Sequence, residues 1–134
     1  MLDSNEIMAV LAGIERDFSR LDFDAWLSHF HANCLIMSPE LVVTPTSASE
    51  TAAIIWPLME RLRAQGYARS SMVECTVKLL SETTALAGTL WRRLNGEGDE
   101  IESLAATYAF LKDNGAWKIT VLIVHPAETV LRME

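Results

Sequence analysis

The stretch DNGAWKITVLIV, residues 113–124, contains the clearest fold signal in this 134-residue chain. Asn114-Gly115 is a preferred pair for a two-residue hairpin turn, because both residues tolerate the positive φ that such a turn requires. Residues 117–124, which follow the turn, and residues 100–112, which precede it, are rich in β-favouring side chains. The two segments are therefore predicted to form an antiparallel hairpin.

A two-residue turn also predicts which residues pair across this hairpin. The expected partners on one face are Trp117 with Lys112, Ile119 with Phe110, Val121 with Tyr108, Ile123 with Ala106, and His125 with Leu104. This face is apolar except for Lys112 and His125 at its ends, so we expect helices to cover it.

Residues 67–80 and 85–94 are two further predicted strands, and residues 95–98 supply the turn that leads to the hairpin. An even-length turn there continues the inward face onto Arg93, Trp91, Thr89, Ala87 and Ala85. It places Glu102 opposite Trp91, seats Trp91 beside Leu104 and leaves Arg93 near Glu102. A three-residue turn would instead put Arg92, Leu90, Gly88 and Leu86 inside, and the sequence allows both arrangements.

The first half of the chain has helical patterning. Apolar residues recur at three- and four-residue steps over residues 4–20, and Asp22 is placed to cap a second, shorter helix that ends near residues 31–33. Ser47 and Glu50 fit a capping box for a third helix that extends to about Gln65, with a kink or a break expected at Pro57. Residues 34–37 and 41–44 are predicted short edge strands. One α+β domain over residues 1–134 follows, with a curved, mainly antiparallel sheet packed on three N-terminal helices.

Composition excludes several classes of partner. The formal net charge is -7, from 18 acidic and 11 basic residues, which disfavours nucleic acid and anionic membranes as partners. No apolar run approaches the roughly 20 residues that span a bilayer, and no secretory signal is evident, so we expect a cytoplasmic protein. Glycine-rich phosphate loops and serine-nucleophile turns are missing from the sequence, and His29 and His31 lack ligands at metal spacing. We therefore expect no cofactor and no metal.

Two N-terminal helices, a short strand, a third helix and a long meander ending in Asn114-Gly115-Ala116-Trp117-Lys118-Ile119 resemble the nuclear-transport-factor-2-like superfamily over nearly the whole chain. The likeness is strongest to its SnoaL-like polyketide cyclase branch. The resemblance implies a cone-shaped sheet around a pocket, in a superfamily that contains isomerases, dehydratases, epoxide hydrolases, cyclases and binding modules. The sites that this resemblance implies for isomerase and epoxide-hydrolase members are not matched cleanly, since the first helix has no Tyr, residues 34–37 contain no acid, and His125 stands where an acid is wanted.

His125 and Tyr108 are the candidate catalytic residues. Histidine titrates near neutral pH, and an inward-facing phenol can donate a hydrogen bond to a ligand. The candidate pocket residues are Trp91, Arg93, Glu102, Trp56, Phe30, Met37 and Met59. Each of these side chains also has a structural alternative, as core packing for the apolar ones and as a cross-strand ion pair for Arg93 and Glu102.

These residues support three hypotheses about function. The first is cofactor-free acid/base catalysis by His125 and Tyr108 on a small apolar or aromatic molecule, of the isomerase, cyclase or dehydratase type. The second is a module that holds such a molecule without reaction. The third is a structural dimer, since Met72, Leu86, Leu90 and Leu94 make the outer sheet face too apolar for free exposure. A homodimer is expected under all three.

Overall fold

The computed structural model describes residues 4–45 and 48–133. Its helices are α1 (Asn5–Ser19), α2 (Phe23–Leu27) and α3 (Ala48–Ala64). Its strands are β1 (Phe30–Ser38), β2 (Leu41–Val43), β3 (Tyr67–Leu79), β4 (Thr84–Asn95), β5 (Glu100–Asp113) and β6 (Ala116–His125), and a short 3-10 helix follows at Ala127–Thr129.

All six strands form one mixed sheet in the order β2-β1-β6-β5-β4-β3. Strands β3 to β6 are an antiparallel meander, and β1 joins it in parallel with β6. The helices cover one face of this sheet, where a continuous core joins α1, α2 and β4 to β6. The predicted α+β class is therefore confirmed.

The three predicted helices are present, but the end predicted for α2 near residues 31–33 is wrong, because α2 ends at Leu27 and those residues belong to β1. Asp22 caps α2 as expected, because its side chain accepts a hydrogen bond from the backbone N–H of Ala25 at 3.2 Å. The capping serine predicted for α3, Ser47, lies outside the described residues. Helix α3 continues past Pro57 as one helix, so the alternative of two shorter helices is wrong.

Strand β1 differs from the prediction. It was expected as a short edge strand over residues 34–37, but it spans nine residues and lies inside the sheet, between β2 and β6. Its pairing with β6 is displaced between Phe30 and Leu35. Residues 31–33, of which His31 and Asn33 are polar, lie at this irregularity, which explains why the strand lacks an alternating pattern. Strand β2 lies at one edge of the sheet, as predicted.

The β5–β6 hairpin follows the predicted register only near its turn. Asn114 and Gly115 have φ values of 53° and 79°, and Trp117 pairs with Lys112 as expected. Beyond Ile119 the register shifts by one residue at Thr120, so that Tyr108 pairs with Leu122 and His125 with Ala105. A one-residue shift moves a side chain to the other face of a sheet. The predicted pairs beyond Ile119 are therefore wrong, namely Val121 with Tyr108, Ile123 with Ala106 and His125 with Leu104.

The inward face predicted for β4 is confirmed, and the alternative with Arg92 and Leu90 inside is wrong. Trp91 pairs with Leu104, and Arg93 pairs with Glu102. Glu102 is thus opposite Arg93, whereas the even-length turn had placed it opposite Trp91. The pairing shifts between Arg93 and Leu94, and Leu94 pairs with Glu100. The residues nearest the turn therefore do not pair as an even-length turn predicts.

The outer face is less exposed than predicted. Met72 pairs with Trp91 and packs against the core on the inner side, and Leu94 is only 4% exposed. The last residues cross this outer face, where Leu131 O accepts a hydrogen bond from Thr76 Oγ1 at 3.3 Å. A Cβ on Gly88 would lie 1.9 Å from the same oxygen.

No helix among the described residues is long and apolar enough to cross a bilayer.

Candidate functional site

A cavity of about 640 Å³ lies between the helices and the inner face of the sheet. All three helices and every strand contribute to its wall or its rim. The apolar part is lined by Ile14, Phe18, Trp26, Ile36, Leu41, Ile54, Ile55, Leu58, Trp91, Leu104, Ala106, Leu122 and Val124. An apolar cavity of this size with few polar groups is typical of small-molecule sites.

Several of the polar groups lie together at one end of the cavity, around the cross-strand pair of Arg93 and Glu102. Nη1 of Arg93 lies 3.6 Å from Oε2 of Glu102, and Nη2 of Arg61, from α3, lies 3.1 Å from Oε1. One carboxylate is thus shared between two guanidinium groups. A buried Oε1 of Glu102 accepts no well-aligned hydrogen bond from the described residues.

Arg93 is 9% exposed, which is unusual for a charged side chain. Burial lowers the pKa of its guanidinium, and Glu102 opposes that shift. The guanidinium carbon stands 5.4 Å from the ring centre of Phe18, so one face of the cation is covered by an aromatic side chain. The charged head is therefore held at the cavity wall, away from bulk water.

Hydroxyl groups complete this polar end. The hydroxyls of Tyr67 and Ser70 are hydrogen-bonded at 2.7 Å, and the backbone N–H of Ser70 donates to Ser19 Oγ at 3.0 Å. Burial raises the pKa of Tyr67, against smaller opposing contributions from Ser70, Ser19 and Arg93. Ser70 lines the cavity directly. These bonds tie the start of β3 to α1 beside Arg93.

Tyr108 lies inside the cavity, as predicted. Burial raises its pKa well above the ordinary range for a phenol, and the nearby Arg93 and Trp91 offset only part of this rise. The hydroxyl is therefore protonated at neutral pH and can serve a ligand as a hydrogen-bond donor. Its ring stacks on Phe110, with ring centres 5.9 Å apart.

His125 does not reach the cavity, and the prediction that it shares a hollow with Tyr108 is wrong. The shift at Thr120 turns its side chain to the outer face. There Nε2 is 2.8 Å from Thr107 Oγ1 and Nδ1 is 2.7 Å from Thr129 Oγ1. Thr129 donates its own proton to Pro126 O, so it accepts from Nδ1, and both imidazole nitrogens are occupied.

Four further predicted pocket residues lie elsewhere. Met37 is on the outer face, since its neighbours Ile36 and Ser38 line the cavity and side chains alternate along a strand. Phe30 and Met59 are buried but do not line the cavity. Trp56 is 43% exposed on the opposite side of α3, with the Arg63 guanidinium 5.0 Å from its ring centre. The cavity therefore keeps Tyr108, Trp91, Arg93 and Glu102 of the predicted set.

The contribution of α3 was missed by the sequence prediction. Ile54, Ile55, Leu58 and Arg61 line the cavity, at the three- and four-residue steps that place side chains on one helical face. That spacing was readable from the sequence, and it points away from Trp56. Trp56 is predicted as a pocket residue because its side chain is large and aromatic, but the helix directs that side chain away from the cavity.

No group of three or more His, Cys, Asp or Glu side chains within residues 4–45 and 48–133 is placed to hold a metal ion. His29 bonds Asp17 at 2.7 Å, and His31 bonds Asp113 at 3.0 Å. Both imidazoles therefore have structural partners, and the absence of a metal or other cofactor stays a prediction.

Comparison with known proteins adds a family and a set of folds. A family model described as NTF2-like protein (DUF6841) matches residues 5–127. No curated protein matches the chain. One similar solved structure is an NTF2-like protein with a cystatin-like fold from Novosphingobium aromaticivorans, with a TM-score of 0.80 and 16% identity, covering 98% of this chain and 90% of that one.

Two other solved structures are similar. A protein of unknown function with a cystatin-like fold from Nostoc punctiforme PCC 73102 has a TM-score of 0.75 and 16% identity, covering 92% of this chain and 90% of that one. A protein from Catenulispora acidiphila in complex with S-DNPA has a TM-score of 0.69 and 12% identity, covering 90% of each chain. At these identities the likeness is one of fold alone.

Proposed function

This chain belongs to the NTF2-like family DUF6841, and from that premise we propose that it binds a small, largely apolar molecule in the cavity beneath its helices. The family lies within the superfamily that the sequence resembles, while the narrower SnoaL-like likeness stays a prediction. The cytoplasmic location is likewise retained only as a proposal from the sequence.

The cavity itself carries this proposal. Its volume of about 640 Å³ falls in the range of roughly 300–1,000 Å³ typical of ligand pockets. Its wall is mainly aliphatic and aromatic, and its few polar groups include the Tyr108 hydroxyl and the Arg93–Glu102 pair. A ligand of matching shape would bury apolar surface along most of its length and orient itself by these few polar contacts.

Catalysis by His125 and Tyr108 is not retained, because the two side chains lie on opposite faces of the sheet. A proton donor and acceptor must both reach one substrate. Binding without reaction requires only the cavity. The similar fold from Catenulispora acidiphila was solved in complex with S-DNPA, which supports ligand binding as a use of this architecture.

The proposal can be tested with N-phenyl-1-naphthylamine, an uncharged probe that fluoresces in apolar surroundings. The protein should bind it, and Ala106→Phe should weaken binding about tenfold, or by about 1.4 kcal/mol. Ala106 lines the cavity, so a phenyl ring there occupies ligand space. A fluorescence titration with each variant measures the change, and a ligand-induced rise in Tm gives a second readout.

Ala109→Phe is the matched control, because it adds the same volume to the same strand on the outer face. It should leave probe binding within twofold of the unmodified chain. If Ala106→Phe does not fold, judged by circular dichroism, Leu104→Trp fills the same cavity from another position. Absence of saturable probe binding, or equal binding by the cavity-filled and control variants, would refute the proposal.

A further inference from the structure

We infer that the ligand of this cavity carries a single oxyanion, such as a carboxylate or sulfonate, which Arg93 and Arg61 hold at the polar end. This inference rests on the proposed binding function and specifies the chemical class of the molecule. Its basis is local to the polar end, where the guanidinium groups of Arg93 and Arg61 share the single carboxylate of Glu102.

Charge at the polar end is unbalanced. Arg93 and Arg61 face one carboxylate, that of Glu102. Glu40 also borders the cavity, but it lies in the exposed β1–β2 turn, where water screens its charge. At this end two guanidinium groups, buried for Arg93 and half exposed for Arg61, therefore face a single carboxylate beside an apolar wall. An anionic group entering there would be attracted mainly by the buried guanidinium of Arg93.

Hydrogen bonding at Arg93 is incomplete as well. A guanidinium offers several N–H donors in a planar fork. Among the described residues its carboxylate partner is Glu102, whose Oε2 lies 3.6 Å from Nη1, longer than a good hydrogen bond, and Phe18 covers a face of the cation. The ring covers a face of the cation and leaves the donors at its edge available. Because Arg93 lines the cavity, donors that lack a close protein acceptor can bind an oxyanion that enters there.

Glu102 cannot fill this role alone. Its Oε1 is 3.1 Å from Arg61 without an aligned hydrogen bond, and its Oε2 is the distant partner of Arg93. A single carboxylate is divided between two guanidinium groups and serves neither well. A second carboxylate, supplied by the ligand, would produce a cluster of two cations and two anions with enough acceptors for both arginines.

The net charge of the chain makes the inference specific to this site. At -7, the protein as a whole repels anions. Preference for an anionic probe over an uncharged one of the same shape must therefore come from local contacts.

Two probes with one skeleton provide the test: 8-anilino-1-naphthalenesulfonate, which is anionic, and N-phenyl-1-naphthylamine, which lacks the sulfonate. The unmodified chain should bind the anionic probe more tightly. Arg93→Met should weaken anionic binding about tenfold and change uncharged binding by less than twofold. Arg92→Met is the matched control. Arg92 directly precedes Arg93 on β4 and faces the outer side of the sheet, where its Nε lies 2.9 Å from Oε1 of Glu100.

Each outcome has one meaning. If neither probe binds, the proposed function fails. If the uncharged probe binds at least as tightly as the anionic one, or if Arg93→Met and Arg92→Met behave alike, the oxyanion inference fails while the binding function stands. If Arg93→Met does not fold, Arg61→Met, at a half-exposed side chain, should reduce the preference for the anion and decides the question.

Discussion

Asp17 joins α1 to the start of β1 through one nearly buried carboxylate, only 4% exposed. Arg16 Nε donates to its Oδ1 at 2.8 Å, and Nε2 of His29 lies 2.7 Å from its Oδ2. These contacts, the hydrogen bond from Arg16 foremost, lower the pKa of Asp17 from 3.8 to about 2, although burial opposes the shift. Gly13 makes the arrangement possible, since a Cβ there would lie 2.7 Å from the His29 ring.

The lowered pKa of Asp17 predicts how acid affects stability. The folded state binds this proton less readily than the unfolded state, so the stabilisation is fully present above pH 3.8 and is lost as pH falls through about 2. Asp17→Asn should remove this part of the pH dependence and cost about 1–3 kcal/mol at neutral pH, because it breaks a buried charged hydrogen-bond network. Urea unfolding at several pH values between these limits measures both effects.

His29→Gln separates the two partners of Asp17. Arg16 is the larger cause of the pKa shift, so the acid dependence should persist in this variant at reduced amplitude. An acid limb unchanged in Asp17→Asn would show that the carboxylate does not couple folding to pH.

Single elements show what sequence patterns can predict. Strands β3 to β6 lie within one or two residues of their predicted bounds, because turn residues and β-favouring runs are local signals. The face of β4 was also predictable from alternation. His125 was misplaced because one extra residue at Thr120 inverts every later side chain of β6. Threonine suits a regular strand as well as a bulge, so the residue type alone carries no sign of the shift.

The C-terminal segment, residues 127–133, is an element that the sequence did not reveal. It lies on the outer face of the sheet, where the backbone N–H of Met133 donates to Thr76 Oγ1 at 3.2 Å and Arg132 pairs with Glu74 at 2.6 Å. A strand residue without a side chain, Gly88, allows the backbone of Leu131 to approach this closely.

Gly88→Ala should displace this segment, because its Cβ would lie 1.9 Å from Leu131 O, a backbone atom that cannot rotate away. We expect a loss of about 1–3 kcal/mol in unfolding free energy and faster hydrogen exchange at the Met133 amide. Gly96→Ala is the control, since no atom of residues 4–45 and 48–133 lies within 4 Å of the Cβ it would add.

A deletion of residues 131–134 identifies the cause. If Gly88→Ala acts by expelling the segment, it should add little further loss in the deleted chain, because the two changes remove the same contacts. Additive losses would place the strain inside the sheet instead.

At the scale of the whole molecule, the cavity and the outer face show different limits of sequence reasoning. Tyr108, Trp91, Arg93 and Glu102 converge because neighbouring strands present one face to the helices, which alternation predicts. The wall from α3 and β1 depends on how helices and a parallel strand dock, and such long-range packing has no local signature. Part of the outer face predicted for a dimer is unavailable, because Met72 points to the inner face and Leu94 is buried.

The homodimer remains a proposal, and the outer face of β1 and β6 now supports it. Leu35 and Met37 pair with Val121 and Ile123, and alternation places all four opposite the cavity. These four partly exposed side chains are neighbours and form one apolar patch on the outer face of the sheet. A contiguous apolar patch of this kind is typical of a self-association surface.

Ile123→Glu should convert a dimer into a monomer, because it places a charge in an apolar contact that symmetry repeats in both subunits. Sedimentation velocity at micromolar concentration would show the change in mass, and Gln65→Glu, which adds the same charge at an exposed site, should leave the dimer intact. Because residue 123 faces away from the cavity, the monomer should still bind N-phenyl-1-naphthylamine. A monomeric unmodified chain would refute the dimer, and loss of probe binding on dissociation would show that the cavity depends on the second subunit.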